Sequence, residues 1–191
     1  MRKVLNPFGR NGTWPRDVTK YVGSTIDNHT LPMDFISNLF KKKTTIADWN
    51  RIRLTEEKFP SDDSITLLQI PSENGNFNTG WVNKAYKNYT YKAFCPVCCI
   101  ITIPHSDDDQ DIDMMTIEDY FTEQLNKVCV AHIVSRIVTD DGMEIIMYTE
   151  AFHEVAKKLT EMYESTSRLV EFGSEIKVDE KWKIANQLLN V

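Results

Sequence analysis

No apolar run in these 191 residues approaches the ~18 to 20 positions needed to span a bilayer. The first thirty residues hold Arg2, Lys3, Arg10 and Arg16 among Asn, Gly and Pro, without the continuous apolar segment of a signal peptide. Both absences lead us to expect a cytosolic protein with no membrane contact. Cysteine is scarce as well. Cys95, Cys98, Cys99 and Cys129 are too few for a disulfide framework, and three of them share one run, so thiols are expected. There is no internal repeat and no low-complexity tract. Nor is there a GxSxG elbow, a phosphate-binding glycine loop, an HExxH helix or an HxH pair. His29, His105, His132 and His153 are scattered, and Glu118 and Asp119, one residue apart, point away from each other on a helix. No catalytic residue is nominated, and no cofactor is called for.

What is present is enough for a core: 41% of residues are hydrophobic and 10% aromatic. The net charge of -6 is unevenly placed. Residues 1–60 carry 11 Lys/Arg against 6 Asp/Glu, whereas residues 61–191 carry 11 against 22. Either the basic segment lies on the acidic body or one of the two faces a charged partner. The chain therefore divides into a basic N-terminal arm with short helices, residues 1–60, and an acidic α+β domain, residues 61–191. Pro60 to Asp63 form the joint.

Residues 1–30 are punctuated by Pro7, Gly9, Gly12, Pro15 and Gly23 and read as an extended arm. Short helices are predicted over 32–40, ahead of Lys41, Lys42 and Lys43, and over 46–54. The lysine triplet suits a helix C-terminus and is too short for a nucleic-acid patch. Strands follow at 65–70 and 94–103, the second a nearly continuous apolar run that predicts burial on both faces. Alternation of Tyr89 and Tyr91 predicts another strand within the aromatic stretch 77–91.

The clearest signals lie between Thr116 and Tyr163. Ile117, Tyr120, Phe121, Leu125 and Val128 have helical spacing behind Thr116 as a cap. Two β-rich runs, 130–139 and 143–149, then flank Asp140-Asp141-Gly142, a strong hairpin signal. Phe152, Val155, Ala156, Leu159, Met162 and Tyr163 share one face of a second helix. A strand over 169–178 with a bend at Gly173, and a helix capped by Asp179 and carrying Trp182, complete the chain. Strand, strand, strand, helix, strand, strand, helix, strand, helix is an antiparallel-rich α+β order, with helices expected on one sheet face.

Two constellations invite chemistry. Cys95, Cys98 and Cys99 offer a CxxC pair to zinc or to redox cycling, with His105, Cys129 and His132 as completions. The pair opens a strand instead of a helix and lacks a second CxxC, so buried core thiols are the favoured reading and a metal or redox role the alternative. The acidic run Asp107, Asp108, Asp109, Asp111 and Asp113 fits the first positions of a calcium loop, with Glu118 at the twelfth. Ile112 stands where that loop needs glycine, so a solvated loop favouring the N-terminus of the next helix is expected.

Thr116-Ile117-Glu118-Asp119, Arg136 with Thr139-Asp140-Asp141-Gly142-Met143-Glu144, Tyr148-Thr149 and Asp179-Glu180-Lys181-Trp182 occur in an order that resembles the uncharacterised bacterial family catalogued as domain of unknown function 695. The resemblance covers roughly residues 65–189. Met143 and the stretch from Phe121 to Gln124 depart from the family pattern. The resemblance implies a ferredoxin-like fold, similar to the regulator that inhibits ribonuclease E in enteric bacteria, and action by binding another protein. It transfers no catalytic residue. Glu118, Asp119, Arg136, Gly142, Glu144, Tyr148 and Trp182 are expected to stabilise the fold, with Glu118 or Glu144 neutralising Arg136. The functional expectation is a non-catalytic regulatory module that presents Asp107, Asp108, Asp109, Asp111 and Asp113 to a basic protein partner and repels nucleic acid. The alternative is a metal-binding or redox protein using Cys95, Cys98, Cys99 and His105. Oligomeric state is left open.

Overall fold

A computed structural model describes residues 45–60, 64–72, 75–105 and 112–191. The arm over 1–30, the helix expected over 32–40, and Asp107, Asp108, Asp109 and Asp111 lie outside the described residues.

Six strands form one antiparallel sheet: β1 (Ile65–Pro71), β2 (Phe77–Asn83), β3 (Val97–Pro104), β4 (Ala131–Thr139), β5 (Gly142–Thr149) and β6 (Gly173–Val178). Their spatial order is β1-β2-β4-β5-β3-β6. Among the described residues four α-helices accompany them: α1 (Ile46–Ile52), α2 (Met114–Asn126), α3 (Phe152–Glu164) and α4 (Lys183–Leu189). Within this order, β3-α2-β4-β5-α3-β6 is a complete ferredoxin-like unit, its first and third strands paired at the centre and the other two outside them. The β1–β2 hairpin extends the sheet beyond β4.

The helices occupy both faces, which corrects the expectation of one. Trp182, Ala185, Leu188 and Leu189 of α4, with Trp49 and Ile52 of α1, pack on Val82, Cys98, Ile100, Val134, Ile146 and Tyr148. Ile117, Phe121 and Leu125 of α2, with Val155, Leu159 and Met162 of α3, pack on Cys99, Ile101, Ile103, Ile145 and Met147. The reason is legible in β3 and β5. Both strands bury every second residue and the residues between as well, and a sheet apolar on both faces needs a layer on each.

Local chemistry explains most element boundaries. The α2 helix begins two residues before Thr116, because the Asp113 side chain accepts from the Thr116 backbone N–H at 2.9 Å and from its hydroxyl at 2.6 Å. Asp113 is therefore the cap and Thr116 its donor. The β4–β5 hairpin turns at Gly142, whose φ of 149° and close approach to the Ile103 carbonyl exclude a Cβ. Gly80 does similar work at the joint between hairpin and unit: a Cβ there would lie 2.2 Å from the Arg136 carbonyl oxygen of β4. Tyr89 and Tyr91 are not in a strand. They flank short 3-10 turns at Lys84–Asn88 and Lys92–Phe94, where their rings fill the α4 face. The strand expected over 169–178 starts at Gly173, while Val170 and Phe172 turn into the α2–α3 core.

The α1 helix is capped by Thr45, with Asp48 returning the bond to the Thr45 N–H. It is tied to the body through Glu150, whose carboxylate accepts from Trp49 Nε1 at 3.0 Å and from the Val130 N–H at 3.0 Å, and pairs with Arg53 at 2.6 Å. Among the described residues, no helix is long and apolar enough to cross a membrane.

Candidate functional site

The residues that carry the family resemblance separate into two clusters on opposite faces. On the α4 face, Tyr148 and Trp182 stack with ring centroids 3.9 Å apart. The Tyr148 hydroxyl donates to Asp179 at 2.7 Å, and the Trp182 indole N–H donates to the carbonyls of Lys92 and Cys95 at 3.0 and 2.9 Å. Asp179 also accepts from the backbone N–H groups of Lys183 and Ile184, so it caps α4 as expected, although Trp182 with φ 51° occupies the residue position at the helix start. Every polar atom in this cluster is spent on the fold, and burial together with the neighbouring thiol and carboxylate drives the Tyr148 phenol well above its usual range.

Beside it lies His132, fully buried. Its Nε2 is 3.2 Å from the Tyr89 hydroxyl and its Nδ1 is 3.3 Å from the Tyr86 hydroxyl. The single Tyr89 proton goes to the Lys58 carbonyl, so Tyr89 accepts from Nε2–H and Nδ1 accepts from Tyr86. A neutral imidazole is thereby satisfied on both sides, and desolvation, helped by Lys58, lowers its pKa to about 3. Such a histidine is a packing group at neutral pH, unsuited to shuttling protons there.

The second cluster is partly open. Arg136 of β4 and Glu118 of α2 form a hydrogen-bonded ion pair, with 21% and 13% of their side chains exposed, and the Trp81 indole N–H donates to the same Glu118 oxygen at 3.3 Å. The expected neutralisation of Arg136 is thus made by Glu118. Burial raises the Glu118 pKa even though Arg136 and Trp81 pull it down, the desolvation of a half-buried carboxylate outweighing its partners. Around the pair opens a groove of about 250 Å³ lined by Ile65, Trp81, Glu118, Thr122 and Ile133, among others. Because side chains alternate along β1, Ile65 and Leu67 point to this face while Leu68 enters the opposite core. Among the described residues no helix covers them: Leu67 is 82% and Phe77 62% exposed. Asp113, Glu118, Asp119 and Glu123 on and before α2 give its surface a negative charge against the single Lys127.

The cysteines are dispersed. Cys95 and Cys98 belong to the α4 face, and Cys99 and Cys129 to the α2–α3 face, as alternation along β3 requires. All four are buried thiols, and desolvation raises each, Cys98 and Cys129 to about 12. His105 is exposed, with Nε2 3.1 Å from the Thr139 carbonyl. Among the described residues, no three His, Cys, Asp or Glu side chains gather as metal ligands. Of the acidic run, Asp113 is the described member, and its carboxylate, held low by Thr116, serves as a cap.

The residue sequence reasoning did not single out is Trp81, which joins the hairpin to the ion pair. Its signal was available: in β2 it alternates with the buried Gly80 and Val82 and so points to the other face. Glu150 was missed for a different reason, since its partners Trp49, Arg53 and Val130 are distant in sequence.

Residues 104–189 match the model of a family described as "Family of unknown function (DUF695)". Neither a curated protein nor a solved structure matches the chain.

Proposed function

We propose that this chain, whose residues 104–189 match the family of unknown function DUF695, is a non-catalytic cytoplasmic module that binds a basic protein partner. The observation that carries the reading is the groove between α2 and the hairpin: an uncovered apolar face, Ile65 and Leu67, beside an acidic helix surface. Large exposed apolar side chains next to like-signed charge are the composition of a protein contact, in which the apolar centre supplies affinity and the charges supply encounter rate and selectivity. Negative charge on α2 disfavours nucleic acid for the same electrostatic reason. Asp107, Asp108, Asp109 and Asp111 precede that helix in the chain, and we assign them to the partner together with Asp113.

A catalytic role draws no support from the side chains that have the chemistry. His132 and Tyr148 are buried in packing on the face opposite Arg136, and the thiols are held protonated by burial. The test is affinity capture from a lysate at low and high salt with the wild-type chain and with the double substitution Asp119→Lys, Glu123→Lys. The expected result is a partner retained at low salt, released at high salt and absent with the charge-reversed protein. Capture that ignores both salt and charge reversal would contradict the reading.

A further inference from the structure

The backbone of β1 shows which of its groups remain open. The Lys84 N–H donates to the Ser64 carbonyl at 2.7 Å and the Ser72 N–H to the Asn76 carbonyl at 2.9 Å. Even-numbered residues of this strand therefore exchange their hydrogen bonds with β2, and Ile65, Leu67 and Gln69 turn their N–H and C=O groups to the side where, among the described residues, no strand pairs. The same residues present Ile65 and Leu67 side chains that are 53% and 82% exposed. Edge strands are normally blunted by charge, by a bulge or by proline within the strand. Here the register with β2 is unbroken, no charged residue occurs from Ser64 to Ser72, and the proline, Pro71, stands at the strand end. The other edge, β6, carries Glu175 and Lys177 paired at 2.9 Å.

We propose that β1 is a homodimer interface, in which two copies pair their β1 strands antiparallel about a twofold axis at Leu67 and join two sheets into one. In that register Leu67 faces Leu67 of the second copy, and Ile65 faces Gln69. All three are outward-directed residues, so donors and acceptors match across the axis and Pro71 falls beyond the pairing. The charge pattern admits a second copy at this edge and disfavours a basic strand. Two chains of net charge -6 repel each other at any acidic surface, and the uncharged stretch 64–72 lets them approach without like charges meeting. A basic segment, which α2 attracts, finds no carboxylate on β1 to pair with. The pairing shares Ile65 and Leu67 with the partner-binding surface above, but it is carried by the strand edge, and its test reads association of this chain alone. A pairing confined to one short strand makes the dimer a weak one.

Sedimentation equilibrium of the full chain from about 5 to 500 µM covers weak association of this kind. The expected result is a reversible monomer–dimer equilibrium. Leu67→Lys, which sets two ammonium groups face to face, and Gln69→Pro, which removes an outward N–H, are each expected to weaken it at least about tenfold. Ser174→Pro on the opposite edge should leave the constant as it is. Monomer throughout the range overturns the proposal, whether the edge is bare, covered by another segment or able to capture a foreign strand. So does a dimer whose constant is unchanged in Leu67→Lys, a substitution at an exposed side chain that leaves the core intact.

Discussion

The ferredoxin-like unit and the hairpin attached to it share one sheet but not one environment. The unit is covered on both faces, so β3 and β5 bury nearly every residue, and its largest polar side chains are tied into the structure: Tyr148 with Asp179, Trp182 with two carbonyls, His132 with two phenols. The hairpin is covered on one face. Leu68 and Val82 anchor it under α1 and α4, while Ile65, Leu67 and Phe77 stand in solvent on the other side. The difference teaches where to look for function. A region whose large side chains are buried in packing has little left to offer a partner, and a region that leaves large apolar side chains in solvent has an interface to spare.

Substitutions should break this contrast unequally. Trp182→Ala strikes the sealed side hardest. It removes a fully buried ring stacked on Tyr148 and is expected to lower stability by about 3–5 kcal/mol in denaturant unfolding. Arg136→Met acts at the border between the regions. It leaves Glu118 half-buried without its cation, and a loss of about 2–3 kcal/mol is expected, less than for a fully buried pair because solvent reaches both partners.

Acid probes the sealed side differently. His132 titrates near 3 in the fold and near its ordinary 6.5 when unfolded, so the unfolded chain holds the extra proton between those values. Its contribution is complete above about pH 6.5 and is lost as pH falls toward 3, at up to about 1.4 kcal/mol per pH unit. Unfolding midpoints measured across that window should show the slope, and His132→Gln should flatten it. The smallest stability effect belongs to the open side: Leu67→Lys should change unfolding by no more than about 0.5 kcal/mol while altering association.

Element order was readable from the chain because periodicity and turn chemistry are local. Asp141-Gly142 announced the β4–β5 hairpin, and the ten-residue apolar run announced β3. Asp179 was found as a cap from its position before Trp182. What local pattern could not convey was the layer arrangement. Helices α2 and α4 have equally clear apolar stripes, and only the pairing order of the strands decides that they lie on opposite faces. Tyr89 and Tyr91 misled for a related reason, since alternation over three residues is compatible with turns whose rings are gathered by a distant His132. The Glu118–Arg136 pair was anticipated as one of two choices. Trp81 and the groove were not, because they depend on where β1 and β2 join the sheet.

Residue-resolved amide hydrogen exchange, followed at low and at high protein concentration, tests the claim that the hairpin edge is an association surface. Thr66, Leu68 and Ile70 pair with β2 and should be protected at both concentrations, whereas Ile65, Leu67 and Gln69 should exchange freely in dilute protein and gain protection as concentration rises. Free exchange of those three amides at both concentrations, or protection already complete at the lower one, would contradict it.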